Sequence, residues 1–152
     1  MSDPRDITDY QPHQQQGSAC FAARVGTKPF NPRSVIALLT VRPELAIVRH
    51  RWIWKLIAEG TVAKKKTSLA FYISSDLTPG TYDIITNDRI TVVYHDSPYS
   101  ANTVYHSSNF QEGSFTLVEA DPQIQRLQGH FSFSMSAINF QVTEGVFDVT
   151  WD

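Results

Sequence analysis

Residues 113–152 read GSFTLVEADPQIQRLQGHFSFSMSAINFQVTEGVFDVTWD, and their periodicity decides the fold. Three apolar alternations follow one another: Phe115 with Leu117; Leu127, Phe131, Phe133 and Met135; then Ile138, Phe140 and Val142. Alternation by two sends those side chains to one face of a half-buried strand, while Ser132, Ser134, Asn139 and Gln141 take the other. The stretch therefore predicts an antiparallel meander feeding one core. Its parity then changes: Ile138–Val142 is apolar at even positions, whereas Phe147, Val149 and Trp151 are odd. Either a β-bulge lies at Thr143-Glu144-Gly145, with Gly145 taking the unusual backbone angles, or the chain turns there. The short spacing favours the bulge.

Working outward, the same short strands recur. Ala19, Phe21, Ala23 and Val25 alternate with Cys20 and Arg24 before Gly26-Thr27 turns into Lys28-Pro29-Phe30, and Asn31-Pro32 punctuates. Arg33–Val41 is apolar on both faces, with Val35, Ala37 and Leu39 on one and Ile36 and Leu38 on the other, so cover is expected on both sides. Glu44–Gly60 admits two readings. As a helix, Pro43 starts it and Leu45, Val48, Trp52 and Leu56 share a face; as a strand, Val48, Trp52, Trp54 and Leu56 do, with His50 among them. Its β-branched and aromatic content favours the strand. Lys64-Lys65-Lys66 reads as a solvated turn, and further alternations follow at Leu69–Ile73, Tyr82–Ile84, Ile90–Tyr94 and Val104–His106. Strands at this spacing, separated by Gly, Pro and Asn-Asp turns, predict an all-β, antiparallel β-sandwich or flattened barrel of about eight to ten strands. The proline- and glutamine-containing segment 1–17 is expected to be a disordered arm, and 18–152 a single domain.

The bulk numbers exclude several classes. A chain of 152 residues buries enough surface to need no staples, and its single cysteine, Cys20, forbids an internal disulfide. A net charge of −2 creates no field that would gather nucleic acid or an anionic membrane. No apolar run has the length of a membrane-spanning helix, and no signal or lipidation motif opens the chain. The expectation is a cytoplasmic protein, or an envelope protein if a leader has been removed.

With these elements in order, the chain resembles an uncharacterised family of small all-β domains found mostly in exported bacterial lipoproteins. The marks are a glycine-turned hairpin in ARVGTKPF (Ala23–Phe30), the strand SVIALLT (Ser34–Thr40), and the Pro79-Gly80-Thr81-Tyr82 turn. They continue with GSFTLVEAD (Gly113–Asp121), then GHFSF (Gly129–Phe133) and GVFDV (Gly145–Val149). The resemblance spans Ser18 to Asp152 and implies a fold without catalytic residues; the chain departs from the family in lacking the lipoprotein leader and its lipidated cysteine.

Chemistry is sparse. There is no nucleophile elbow, phosphate-cradling glycine loop, paired-cysteine zinc site or His-Glu-x-x-His helix, so no catalytic residue, metal or cofactor is expected. His95-Asp96, His106 and His130 would form a metal site only if their strands met. Arg49, His50, Arg51, Lys55 and Lys64–Lys66, interleaved with Trp52 and Trp54, would suit nucleic acid, but a solvated edge explains them as well. Tyr94, Asp96, Tyr99, Asn102 and Tyr105 are the candidates for a small-ligand or glycan site around one polar loop. The leading expectation is a non-enzymatic interaction module, such as an assembly subunit or an inhibitor- or immunity-type protein. It would meet a protein partner or its own copies through Ile36, Leu38, Arg49, Arg51, Trp52 and Trp54.

Overall fold

The computed structural model describes residues 19–41, 52–97 and 103–150. The expected arm 1–17, the first part of the Glu44–Gly60 segment and the tip of the polar loop lie outside these residues. The described residues form ten strands: β1 (Ala19–Val25), β2 (Lys28–Val41), β3 (Trp52–Val62), β4 (Lys65–Ser74), β5 (Gly80–Asp83), β6 (Ile90–Ser97), β7 (Thr103–His106), β8 (Glu112–Asp121), β9 (Arg126–Met135) and β10 (Phe140–Thr150). They form one antiparallel sheet in the order β5-β8-β9-β10-β1-β2-β3-β4-β6-β7, curled over a common core as a flattened half-barrel. Trp52–Val62 is strand, so of the two sequence readings of that segment the extended one holds where the chain is described.

β2 joins the two halves. Its first residues, Lys28–Phe30, pair with β1, and Asn31–Val41 pair with β3, with a register irregularity between Pro32 and Ser34. The sequence reading split this strand in two at Asn31-Pro32; the chain instead bends there without breaking. Gly60 makes the bend possible, because a Cβ at that position would lie 1.9 Å from the Asn31 carbonyl oxygen.

Phenylalanines fill the space between the halves. Phe71 on β4 is fully buried and faces Phe131, Phe115, Phe147 and Phe21 across the core, with ring centroids 4.6, 5.9, 6.0 and 6.3 Å away. The meander of β8, β9 and β10 contributes Phe115, Leu117, Leu127, Phe131, Phe133, Val142, Phe147 and Val149 to this core, as its alternation predicts. Ile138 is an exception. It sits in a 3-10 turn over Ser136–Ile138 and is 51% exposed, because Asn139 in the left-handed region ends that turn before β10 begins.

The parity change is a bulge within β10: the pairing with β9 shifts between Val142 and Gly145 while the strand continues. The left-handed residue is Glu144, at φ 53°, and not Gly145. Gly145 is required for space, since a Cβ there would lie 2.3 Å from the Phe131 ring. Gly145→Ala should therefore cost about 1–3 kcal/mol by overpacking, whereas Glu144→Gly, which relieves a left-handed non-glycine residue, should be neutral or stabilising. Denaturant unfolding of the two variants checks both signs; equal effects would contradict the division of roles.

Candidate interaction surface

The register of the second half places side chains in rows on its outer face, away from the core. One row runs Ile36, Ile57, Ala70, Val93 and ends at His106. The next runs Leu38, Lys55, Tyr72 and Thr91, and a third joins Thr40, Ile53 and Ser74. Ile36, Leu38, Ile57, Tyr72 and Val93 are half-buried, while Ile53 and Ala70 are buried. The Lys55 ammonium lies 6.0 Å from the Tyr72 ring centroid, at the outer limit of a cation–π contact.

Polar groups close this apolar patch at both ends. At one end Ser74 Oγ donates to Asp76, and Arg89 Nε donates to both Asp76 carboxylate oxygens at 3.2 and 3.3 Å. At the other, the bend of β2 opens a shallow groove of about 490 Å³ lined by Arg33, Ser34, Glu59, Lys66, Ser68 and His95. An apolar centre within a charged rim is the anatomy of a protein interface.

The outer face of the first half is different. Ser114 pairs with Ser132, and Thr116 with His130; Thr81 and Thr116 share a hydrogen bond at 2.9 Å. Arg126 holds Asp148 through two hydrogen bonds at 3.0 and 2.7 Å and reaches Glu119 at 3.3 Å. Hydrogen bonding to Asp148 and its charge raise the Arg126 guanidinium further above its already high range. Cys20 is free and exposed on this side, opposite Asp148 in the register. The outer face of the first half is thus mostly polar, with Val118 and Val146 exposed singly, and that of the second half carries a contiguous stripe of Ile, Leu, Val and Tyr.

The sequence candidates divide accordingly. Ile36 and Leu38 stand on the apolar outer face. Trp54 is 2% exposed and belongs to the core, and Trp52, on the same face of β3, is half-buried at its end; Arg49 and Arg51 lie outside the described residues. Ile53, Ile57 and Tyr72 were missed. The signal for the two isoleucines lies in WIWKLIA (Trp52–Ala58), which has apolar residues at both parities as Arg33–Val41 does; Tyr72 carries no such signal.

Among the ligand candidates, Tyr94 is 3% exposed, and its ring packs on Tyr105 at 6.1 Å and on Phe140 at 4.9 Å. Tyr94 is part of the core, and Tyr105 is half-buried against it. Tyr99 and Asn102 lie outside the described residues. Asp96 follows Tyr94 on the inner face, and its Oδ1 is buried without a hydrogen-bond partner. The histidines do not converge with it: His95 and His106 are on the outer face of the second half, and His130 is on that of the first. Among the described residues, no three His, Cys, Asp or Glu side chains are placed to hold a metal. No helix among them is long and apolar enough to cross a membrane.

Comparison with protein-family models, with curated proteins and with solved structures gave no significant match.

Burial, then the Asp96 charge, push the Tyr94 hydroxyl from 10.0 up to about 12, with Tyr105 adding to the rise and a hydrogen bond with Thr67 opposing it. The neutral phenol is favoured in the folded chain, so this contribution is intact below pH 10 and is lost as the pH rises through about 12. Stability should fall by about 2–3 kcal/mol across that window, and Tyr94→Phe should flatten the slope. Denaturant unfolding of both proteins between pH 9 and 12 checks this; identical slopes would show that Tyr94 is not the group responsible.

Proposed function

We propose that this chain is a non-enzymatic β-sandwich that works by contact with another protein chain, either a partner or a copy of itself, through the outer face of its second half. The observation carrying this reading is the contrast between the two outer faces. A sheet face left to water alternates toward Ser, Thr, Gln and charge with single apolar residues among them, as the outer face of β8, β9 and β10 does, where exposed Val118 and Val146 stand apart among Ser114, Thr116, His130 and Ser132. Ile36, Leu38, Ile57, Tyr72 and Val93 depart from that rule together, on adjacent strands and in one patch. Apolar side chains that meet across strands and are ringed by Arg33, Glu59, Lys66, Asp76 and Arg89 form a surface whose exposure is relieved by docking. The roles that suit such a chain are those of an assembly subunit or of an inhibitor- or immunity-type protein.

The resemblance to exported lipoprotein domains is compatible with this reading, since it implies no catalytic residues. Support for a ligand site at the Tyr94–Tyr105 end is weaker, because those two rings stack on each other and on Phe140.

A pull-down from the native host combined with light scattering on the purified chain tests the proposal. The wild type should show a stoichiometric partner or a defined oligomer. Ile36→Lys should abolish it, and Ser132→Lys, on the polar face, should leave it unchanged, with both variants retaining the wild-type melting transition. A monomer that captures nothing, or a complex equally sensitive to Ser132→Lys, would overturn the assignment.

A further inference from the structure

β2 is an unusual edge. Only Lys28–Phe30 pair with β1; from Asn31 onward β2 has β3 on one side, and among the described residues no strand pairs with the other. The remaining edges are short or capped. β5 and β7 have four residues each, and the Val92 amide, where β6 runs past the end of β7, is taken by Ser107 Oγ at 3.1 Å. Natural edges are normally protected in these ways, or by lysine, proline or an inward charge. From Ser34 to Val41 (SVIALLTV), β2 has none of these devices. A row of unpaired backbone groups between apolar side chains is a template for another strand.

The order of residues in that strand says which strand fits. Around Ala37, polarity and size are nearly palindromic: Ser34 and Thr40 at the ends, Val35 and Leu39 inside them, Ile36 and Leu38 flanking the alanine. An antiparallel pair related by a two-fold axis places residue i opposite the residue equally far from the axis on the other copy. With the axis at Ala37, Ser34 meets Thr40, Val35 meets Leu39 and Ile36 meets Leu38. Hydroxyl then faces hydroxyl, and branched apolar faces branched apolar, the pairings that stabilise cross-strand neighbours. Val35, Ala37 and Leu39 line the core side, so Ile36 and Leu38 of both copies fall on the outer face together.

We infer that the occupant of this edge is a second copy of the chain, joined β2 to β2 in an antiparallel two-fold pair centred on Ala37. The inference rests on the interaction reading and makes it specific. Pairing satisfies the free backbone groups of both edges and fuses the two outer apolar patches into one continuous surface. A charge at Leu38 would then lie beside the second copy's Ile36 in the middle of the seam.

The test uses the full chain with Cys20→Ser, which removes the exposed thiol. Sedimentation at rising concentration should show a monomer–dimer equilibrium, with a dissociation constant on the order of micromolar for a seam of this size. Leu38→Lys should weaken it by at least about tenfold, the loss expected for a charge buried among apolar neighbours. Mild oxidation of an equimolar mixture of the Ile36→Cys and Leu38→Cys chains should give the mixed cross-link. Directly opposed Cβ atoms lie about 4.5–5.5 Å apart and diagonal ones about 7–8 Å, beyond disulfide reach. Each variant oxidised alone should therefore cross-link far less. If Leu38→Lys unfolds the chain, the cross-linking decides alone. A dimer that gives no mixed cross-link overturns the seam, since it forms through another surface. A chain that stays monomeric but keeps a partner sensitive to Ile36→Lys overturns self-pairing and leaves the interaction reading standing. A monomer without a partner overturns both.

Discussion

The contact of Phe71 with the phenylalanines of the opposite half is the interaction on which the rest of this molecule depends. Phe71 stands on β4, in the middle of the second half, and its ring lies 4.6 Å from that of Phe131 on β9. Neither half is stable alone, because a sheet with one apolar face must bury it against another layer. Burying one Phe side chain is worth about 2–3 kcal/mol, and favourable ring geometry adds about 1 kcal/mol for a pair. Total stability for a domain of this kind is about 5–15 kcal/mol. A cluster in which Phe21, Phe115, Phe131 and Phe147 all reach Phe71 thus accounts for much of the margin between the folded and unfolded chain.

That contact also dictates what β2 must do. To lay β4 over β9, the sheet has to curl, and the curl is taken up where β2 leaves β1 and follows β3. The bend at Pro32–Ser34 is tolerated because Gly60 offers no Cβ to the Asn31 carbonyl. Once β2 has turned away from β1, its remaining residues have no strand on that side among the described residues. The exposed edge and the core are two consequences of one curvature, and a straighter β2 would have kept β1 as its neighbour. A strand placed there for folding alone would be expected to carry a lysine or proline among its outward residues. Ser34–Val41 carries neither.

Much of the fold was legible because alternation by two is a local property. Phe131, Phe133, Phe147 and Val149 reach the core as their spacing dictates, and the parity change at Thr143–Gly145 is a bulge in an unbroken strand. The errors occur where backbone conformation departs from what residue identity suggests. Glu144 takes the left-handed angle and leaves Gly145 to make room for Phe131. The β3–β4 turn is Ala63-Lys64, both at positive φ without the Asn-Gly that such a turn favours, so the lysine run Lys64–Lys66 marks it one or two residues late. Ile138 reads as a strand residue but is carried outward by a 3-10 turn. The surface was only half legible. Ile36 and Leu38 are legible because their strand is apolar on both faces, whereas Ile53, between the two tryptophans, and Ile57, beyond them, share a segment whose larger side chains fill the core. Which parity of β3 faces the core depends on its register with β2 and β4, and register is a property of the assembled sheet.

The two faces of β3 show why a second apolar face is not spare core. Trp54, Leu56 and Ala58 are buried against the other half, so the hydrophobic requirement of that strand is already met. Ile53 and Ile57 add nothing to that core, for they point the other way, and the pairing of Ile57 with Ile36 and Ala70 continues their row onto β2 and β4. Partly exposed branched side chains in a row raise the free energy of the isolated chain in water, since the area they could bury is left wet. Lys55 lies within that row's neighbourhood, its stem along the face and its ammonium toward Tyr72, which keeps the patch from being wholly apolar while leaving its methylenes available for packing. The patch ends on the edge strand at Ile36 and Leu38, so any strand that completes the edge also extends the face. Edge and face are therefore one surface, reached from two directions.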